Sequence, residues 1–270
     1  MSPPRLGYAF SAHGLTGNLG WAVAPVFMVG ISTASDWRSA YFAAAVLFLF
    51  ILGLLLWQRE WLTTHVVQHK HDEPQDHTLA FLKIPVVWWC FAFFFLSTMT
   101  LAVVQSFSVS ILQAMHQVSF EAATMTLTAY MLCAAGGMFV GGFVAARVPK
   151  HSDRVVATCM AVGAACMALC GSGWLDGSWS MVVLAATGLA IGVGGPSRDM
   201  MIKKATPKGA TGRVYGMVYS GLDVGFAVSP LIFGVFMDHG WYGATLVGAA
   251  SVLMLSVFVA LGVGQRTVHA

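Results

Sequence analysis

Asp223 stands out for chemistry because of where it lies. It sits within RVYGMVYSGLDVGFAVSPLIFGVFMD, residues 213–238, an apolar run long enough to cross a bilayer. Ten residues separate Arg213 from Asp223, which at roughly 1.5 Å each puts the carboxyl about 15 Å deep. An ionisable group at that depth is costly, and its default reading is functional. A carboxyl that takes a proton on one side and releases it on the other meets the physical requirement for proton coupling. The structural alternative is an aspartate held by Tyr219, Ser220 or a backbone group of a neighbouring helix.

Other polar side chains in apolar surroundings join it as candidates for a proton or solute path. His13 and Asn18 lie in the first apolar run, Gln105 in the third and Tyr130 in the fourth. Arg198 lies within a glycine-rich stretch, GVGGPSRDMM, residues 192–201, close enough to Lys203 to snorkel to the interface or to act as a gate or solute contact. Gln105 serves equally well as an interhelical hydrogen-bonding group. Apart from Asp223, the acids are placed in loops or at the ends of spans. No paired carboxylates, serine elbow or metal-spaced histidine pair occurs within the spans, so no catalytic site is expected.

Stepping outward, the positioning elements are membrane helices. Only 25 of 270 residues are charged and 57% are hydrophobic, against about a quarter charged in a soluble domain. The net charge of +3 is too small and too dispersed for a nucleic-acid partner. Length and hydropathy predict eight spans, near residues 7–31, 39–57, 84–112, 122–146, 155–174, 179–202, 214–236 and 243–263. With Arg5 inside, thirteen basic residues fall on one face and Arg38 alone on the other. That asymmetry predicts an integral protein of a cytoplasmic (bacterial inner) membrane with both termini cytoplasmic. Trp37, Trp174, Trp179 and Trp241 then form the outer aromatic belt.

The five cysteines lie in apolar runs and are read as packing residues. Gly137 and Gly141, four apart, are read as a helix-packing pair. Residues 58–83 form a hydrophilic connection holding His65, His69, His71 and His77. Their spacing matches no firm ligand pattern, so the segment is read as a solvated linker, with no metal and no cofactor.

The chain also repeats itself. NLGWAVAP, residues 18–25, matches DVGFAVSP, residues 223–230, position by position. Gly20 and Pro25 answer Gly225 and Pro230, and Asn18 stands where Asp223 stands. Each copy is followed by a tryptophan eleven or twelve residues after the proline, then by another apolar span. Parallel repeats related by an axis along the bilayer normal are one transporter architecture.

HGLTGNLGWAVAPVFMVG followed by SDWRSAYF resembles the fifth helix and the start of the sixth helix of the major facilitator superfamily. GLDVGFAVSPLIFG and the span after WYGATL then resemble the eleventh and twelfth. The resemblance implies an all-α polytopic bundle of about eight helices, numbers five to twelve of a usual twelve, with the first four missing before Met1. It divides the chain into residues 1–57, the last helix pair of the N-terminal half; residues 58–83, the central cytoplasmic loop; and residues 84–270, the C-terminal six-helix half. The antiporter motif of the fifth helix is kept at Gly20 and Pro25, but Ala24 replaces a glycine and Met28–Val29 replace its final pair. The motif of the loop between helices eight and nine is echoed only from Gly142, with Ala146 at its acidic position.

The resemblance implies a secondary transporter, not an enzyme, moving a small solute by alternating access in the bilayer; the coupling ion is left open by it, and Asp223 makes the proton the candidate. A membrane sensor or scaffold derived from a truncated transporter is the alternative.

Overall fold

The computed structural model describes residues 3–62, 80–206 and 211–268. Eight long helices are present: α1 (Pro3–Ala34), α2 (Trp37–Trp57), α4 (Pro85–His116), α5 (Phe120–Arg147), α6 (Ser152–Gly171), α7 (Gly177–Ala205), α8 (Thr211–Asp238) and α9 (Tyr242–Val268). A four-residue turn, α3 (Arg59–Leu62), follows α2, and short 3-10 turns precede α4 and α6. All eight long helices are long and apolar enough to cross a membrane. Among the described residues there is no strand. The four histidines of the hydrophilic connection lie outside the described residues.

The helix ends follow from local chemistry. Asp36 caps α2 by accepting the Ser39 amide at 2.6 Å, and Asp176 caps α7 by accepting the Trp179 amide at 2.8 Å. Ser119 does the same for α5 through the Ala122 amide. Gly240, with φ of +73°, lets the chain leave α8. The fifth predicted span, 155–174, runs past the helix that forms it: α6 stops at Gly171 because Gly173 turns the chain at a φ of +75°.

The chain divides into two compact units, residues 20–78 and residues 1–19 with 79–270, the boundary falling inside α1. In the smaller unit α2 exposes apolar side chains on most of its circumference, Phe42, Phe48, Leu56 and Trp57 among them. An all-round apolar helix with that exposure is matched to lipid.

In the larger unit α4 to α9 form a bundle in which α5 packs on α7, α7 on α6, α6 on α9, α9 on α4, and α4 on α8. The core lies among Phe93, Phe94, Met160, Ile202, Val218 and Leu253. Its closest helix contact, α5 against α7, is built from glycine on both sides. A Cβ at Gly137 or Gly141 would run into the α7 backbone at Leu189 and Val193, and one at Gly188 or Gly192 would run into the α5 backbone at Tyr130 and Ala134. Backbones thus touch directly, which is what small residues provide where lipid offers no hydrophobic drive. Residues 8–14 of α1 lie on α5: Ser11 Oγ donates to the Met138 carbonyl at 2.8 Å, and Tyr8 meets Phe143 edge-on.

Exposed Trp174, Trp179 and Trp241 mark one end of the bundle, and Lys83, Arg147, Lys150, Arg154, Lys203 and Arg213 the other. Both belts fall where alternating helices must carry them.

Candidate functional site

The α8 helix presents Asp223 by packing its other side. A Cβ at Gly221 would meet the Phe91 carbonyl, and one at Gly225 the Phe95 carbonyl of α4. One turn further, buried Ser229 Oγ donates to the Met99 carbonyl at 2.7 Å. The i, i+4, i+8 row 221–225–229 therefore faces α4. Asp223 sits two residues on, about 200° around the helix, and it is exposed. Ser220 Oγ donates within its own helix to Met217 O at 2.7 Å. Tyr219 tilts against Phe94 at 5.1 Å. Among the described residues no hydrogen bond or ion pair holds Asp223, so the structural pairing open on sequence grounds is not made.

The other candidates are scattered. Asn18 Nδ2 donates to the Gly14 carbonyl of its own helix at 3.1 Å, and His13 is exposed. Gln105 is half-buried on α4 beside exposed Ser106. Tyr130 is 1% exposed and lies in the α5–α7 contact with its carbonyl against Gly188. No hydrogen bond or ion pair among the described residues joins any two of Asp223, His13, Asn18, Gln105, Tyr130 and Arg198. Gly20 has open space around it, and Pro230 is exposed within α8; the side chain of Pro25 lies outside the described residues.

Arg198 does not reach along α7 toward Lys203. Its guanidinium lies over the Phe94 ring of α4, 5.0 Å from the centroid, and its Nε donates to Asp199 Oδ1 at 3.0 Å. The side chains are 28% and 4% exposed. Tyr219 and Tyr215 of α8 have their rings stacked at 5.9 Å, and Tyr219 meets the same Phe94 ring. Arg198 is seven residues short of the end of α7, about 10 Å from it along the axis. Asp199, counted with the span-end acids on sequence grounds, is thus a buried carboxylate paired inside the bundle. The signal that finds it is an acid adjacent to a base in an apolar run: a lone charge in a span is costly, so neighbouring opposite charges there predict a pair.

Two further polar contacts tie helix ends. Lys204 Nζ donates to the Pro149 carbonyl and to Ser152 Oγ, joining α7 to the start of α6. At the opposite end, His116 Nε2 and Ser180 Oγ lie 3.0 Å apart, joining α4 to α7.

A profile of the Major Facilitator Superfamily matches residues 1–157 and again residues 95–268. The chain belongs to this superfamily. Its members are membrane transporters, so the eight spans are those of an integral membrane transporter in contact with lipid and with a transported solute. Nothing among curated proteins matches the chain.

Proposed function

We propose that the protein is a proton-coupled secondary transporter of a small solute, working by alternating access, with Asp223 as its proton-carrying group. One observation carries this reading: a mid-helix carboxyl in an apolar span, exposed on α8 and held by no partner among the described residues. A structural aspartate in a span is paired or hydrogen-bonded; a carrier must be free to gain and lose its proton. The repeat adds that Asn18, which bonds but does not titrate, occupies the matching position in α1.

In this proposal residues 1–57 form the last helix pair of the N-terminal half, residues 58–83 the central loop, and residues 84–270 the C-terminal half. The basic end of the bundle is cytoplasmic, in a bacterial inner membrane. His13, Asn18 and Gln105 line or flank the path, and Gly20, Pro25, Gly225 and Pro230 let the repeated helices pack and bend.

The test is Asp223→Asn in the protein expressed from its native gene. The substitution keeps the side chain's size and polarity and removes the proton site. Flux driven by a pH gradient is lost while exchange without a gradient persists. A mutant whose flux keeps the native pH dependence overturns the carrier role.

A further inference from the structure

We infer that Arg198 is an anion-binding group and that the transported solute carries a carboxylate or phosphate-type group which Arg198 receives. The inference rests on the transporter reading for the word solute, but the binding site stands on the geometry alone.

A guanidinium offers five N–H donors in a planar fork. Here Nε is used by Asp199 Oδ1 at 3.0 Å, and no other hydrogen bond to Arg198 occurs among the described residues. The Nη edge is therefore without an acceptor, on a side chain that is 28% exposed and about 10 Å inside a span. The other cations are provided for differently. Lys204 gives its protons to Pro149 and Ser152, and Arg147, Lys203 and Arg213 are exposed at helix ends.

The guanidinium is also seated: its Cζ lies over the Phe94 ring of α4, 5.0 Å from the centroid, and Tyr219 of α8 meets Phe94 at 5.1 Å. The Nη edge left without an acceptor is the direction from which two acceptor oxygens engage two N–H groups at once. A neutral solute offers that edge single acceptors only, and a cation is repelled. Asp199 holds Nε by a single hydrogen bond, so it is a neighbour competing for the same charge rather than a lid over the edge.

The site is tested by equilibrium binding to the purified protein in phosphatidylcholine nanodiscs. The probes are benzoate, acetate, inorganic phosphate and methanesulfonate, with choline and glucose as cationic and neutral controls. At least one anion binds and the controls do not. Arg198→Gln weakens that binding roughly tenfold to hundredfold, the range for hydrogen bonds to a charged group. Arg198→Lys keeps the charge, loses the fork and recovers only part. Asp199→Asn removes the competing charge without removing Arg198, and raises affinity severalfold; it also decides the matter should Arg198→Gln fail to fold. No binding by any anion, or anion binding unmoved in Asp199→Asn and in whichever Arg198 variant folds, overturns the inference. So does occupancy seen only with phosphatidylglycerol in the disc and never with a soluble anion. Flux through the same preparations separates the two readings. Transport of neutral solutes indifferent to Arg198 keeps the transporter and removes the anion site. Arg198-dependent binding without flux of any solute does the reverse.

Discussion

Adjacent glycines on α5 offer an internal control that few packing arguments have. Gly136 has open space where its Cβ would be, whereas a Cβ at Gly137 would meet Leu189 O, Val193 N and Gly192 Cα, all backbone atoms of α7. Replacing either by alanine changes helix propensity by the same amount, about 1 kcal/mol in water in favour of the helix. That contribution cancels in the comparison. What remains is overpacking at Gly137 alone, where no flexible side chain can swing aside; overpacking of this kind costs about 1–3 kcal/mol. Gly137→Ala is therefore less stable than Gly136→Ala by that amount, and Gly136→Ala is as stable as the native protein or slightly more so. Reversible unfolding in mixed micelles, followed by circular dichroism, reads both. Equal stability of the two variants refutes the backbone-on-backbone account of the α5–α7 contact.

Three other outcomes follow from single contacts. Asp199→Ala leaves the Arg198 charge without its counterion, and in the same unfolding assay it costs toward the lower end of about 3–5 kcal/mol, because Arg198 keeps some exposure; Arg198→Met with Asp199→Leu restores most of the loss, and a double variant as unstable as the single one contradicts the pairing. Ser229→Ala removes the hydrogen bond to Met99 O between α8 and α4 and costs about 0.6 kcal/mol, the average for such bonds between membrane helices; a loss above about 2 kcal/mol assigns Ser229 more than that bond. The Ser39 amide holds the Asp36 carboxyl below the ordinary aspartate range, so its capping is complete above the unfolded-state pKa and fades as pH falls through the lower folded value. Carboxyl carbon NMR shifts check this directly, and an ordinary aspartate titration at Asp36 contradicts it.

The spans were legible because the bilayer imposes length and apolarity together, and each predicted span lies within a few residues of a helix. Gly137 and Gly141 were legible as packing residues, but their partners were not: the i, i+4 spacing says that something approaches closely, and only the fold says that it is Leu189 and Val193 of α7. For Asp223, depth was readable from the run around it. The direction of its side chain depended on which face of α8 meets α4, and therefore on Gly221, Gly225 and Ser229 acting together. Asp199 was hidden because a position near the end of a span normally reaches water. In α7 that end is packed into the bundle, with Pro196 against Gly141 of α5, Lys204 bonded to the start of α6 and Arg198 over Phe94 of α4, and a carboxylate 4% exposed results. Tyr130, polar by type, is consumed by the α5–α7 contact because a large side chain beside Gly188 fills what the glycine leaves open.

The central claim is tested most directly by flux. Inverted membrane vesicles carrying the protein expressed from its native gene are given an imposed pH gradient, and a panel of labelled solutes is followed with and without a protonophore. Gradient-driven movement of one solute class, abolished by the protonophore, is the predicted result. If no solute moves in protein-containing vesicles beyond empty controls while the protein is folded and inserted, the transporter account is contradicted, and the role of a membrane sensor or scaffold takes its place.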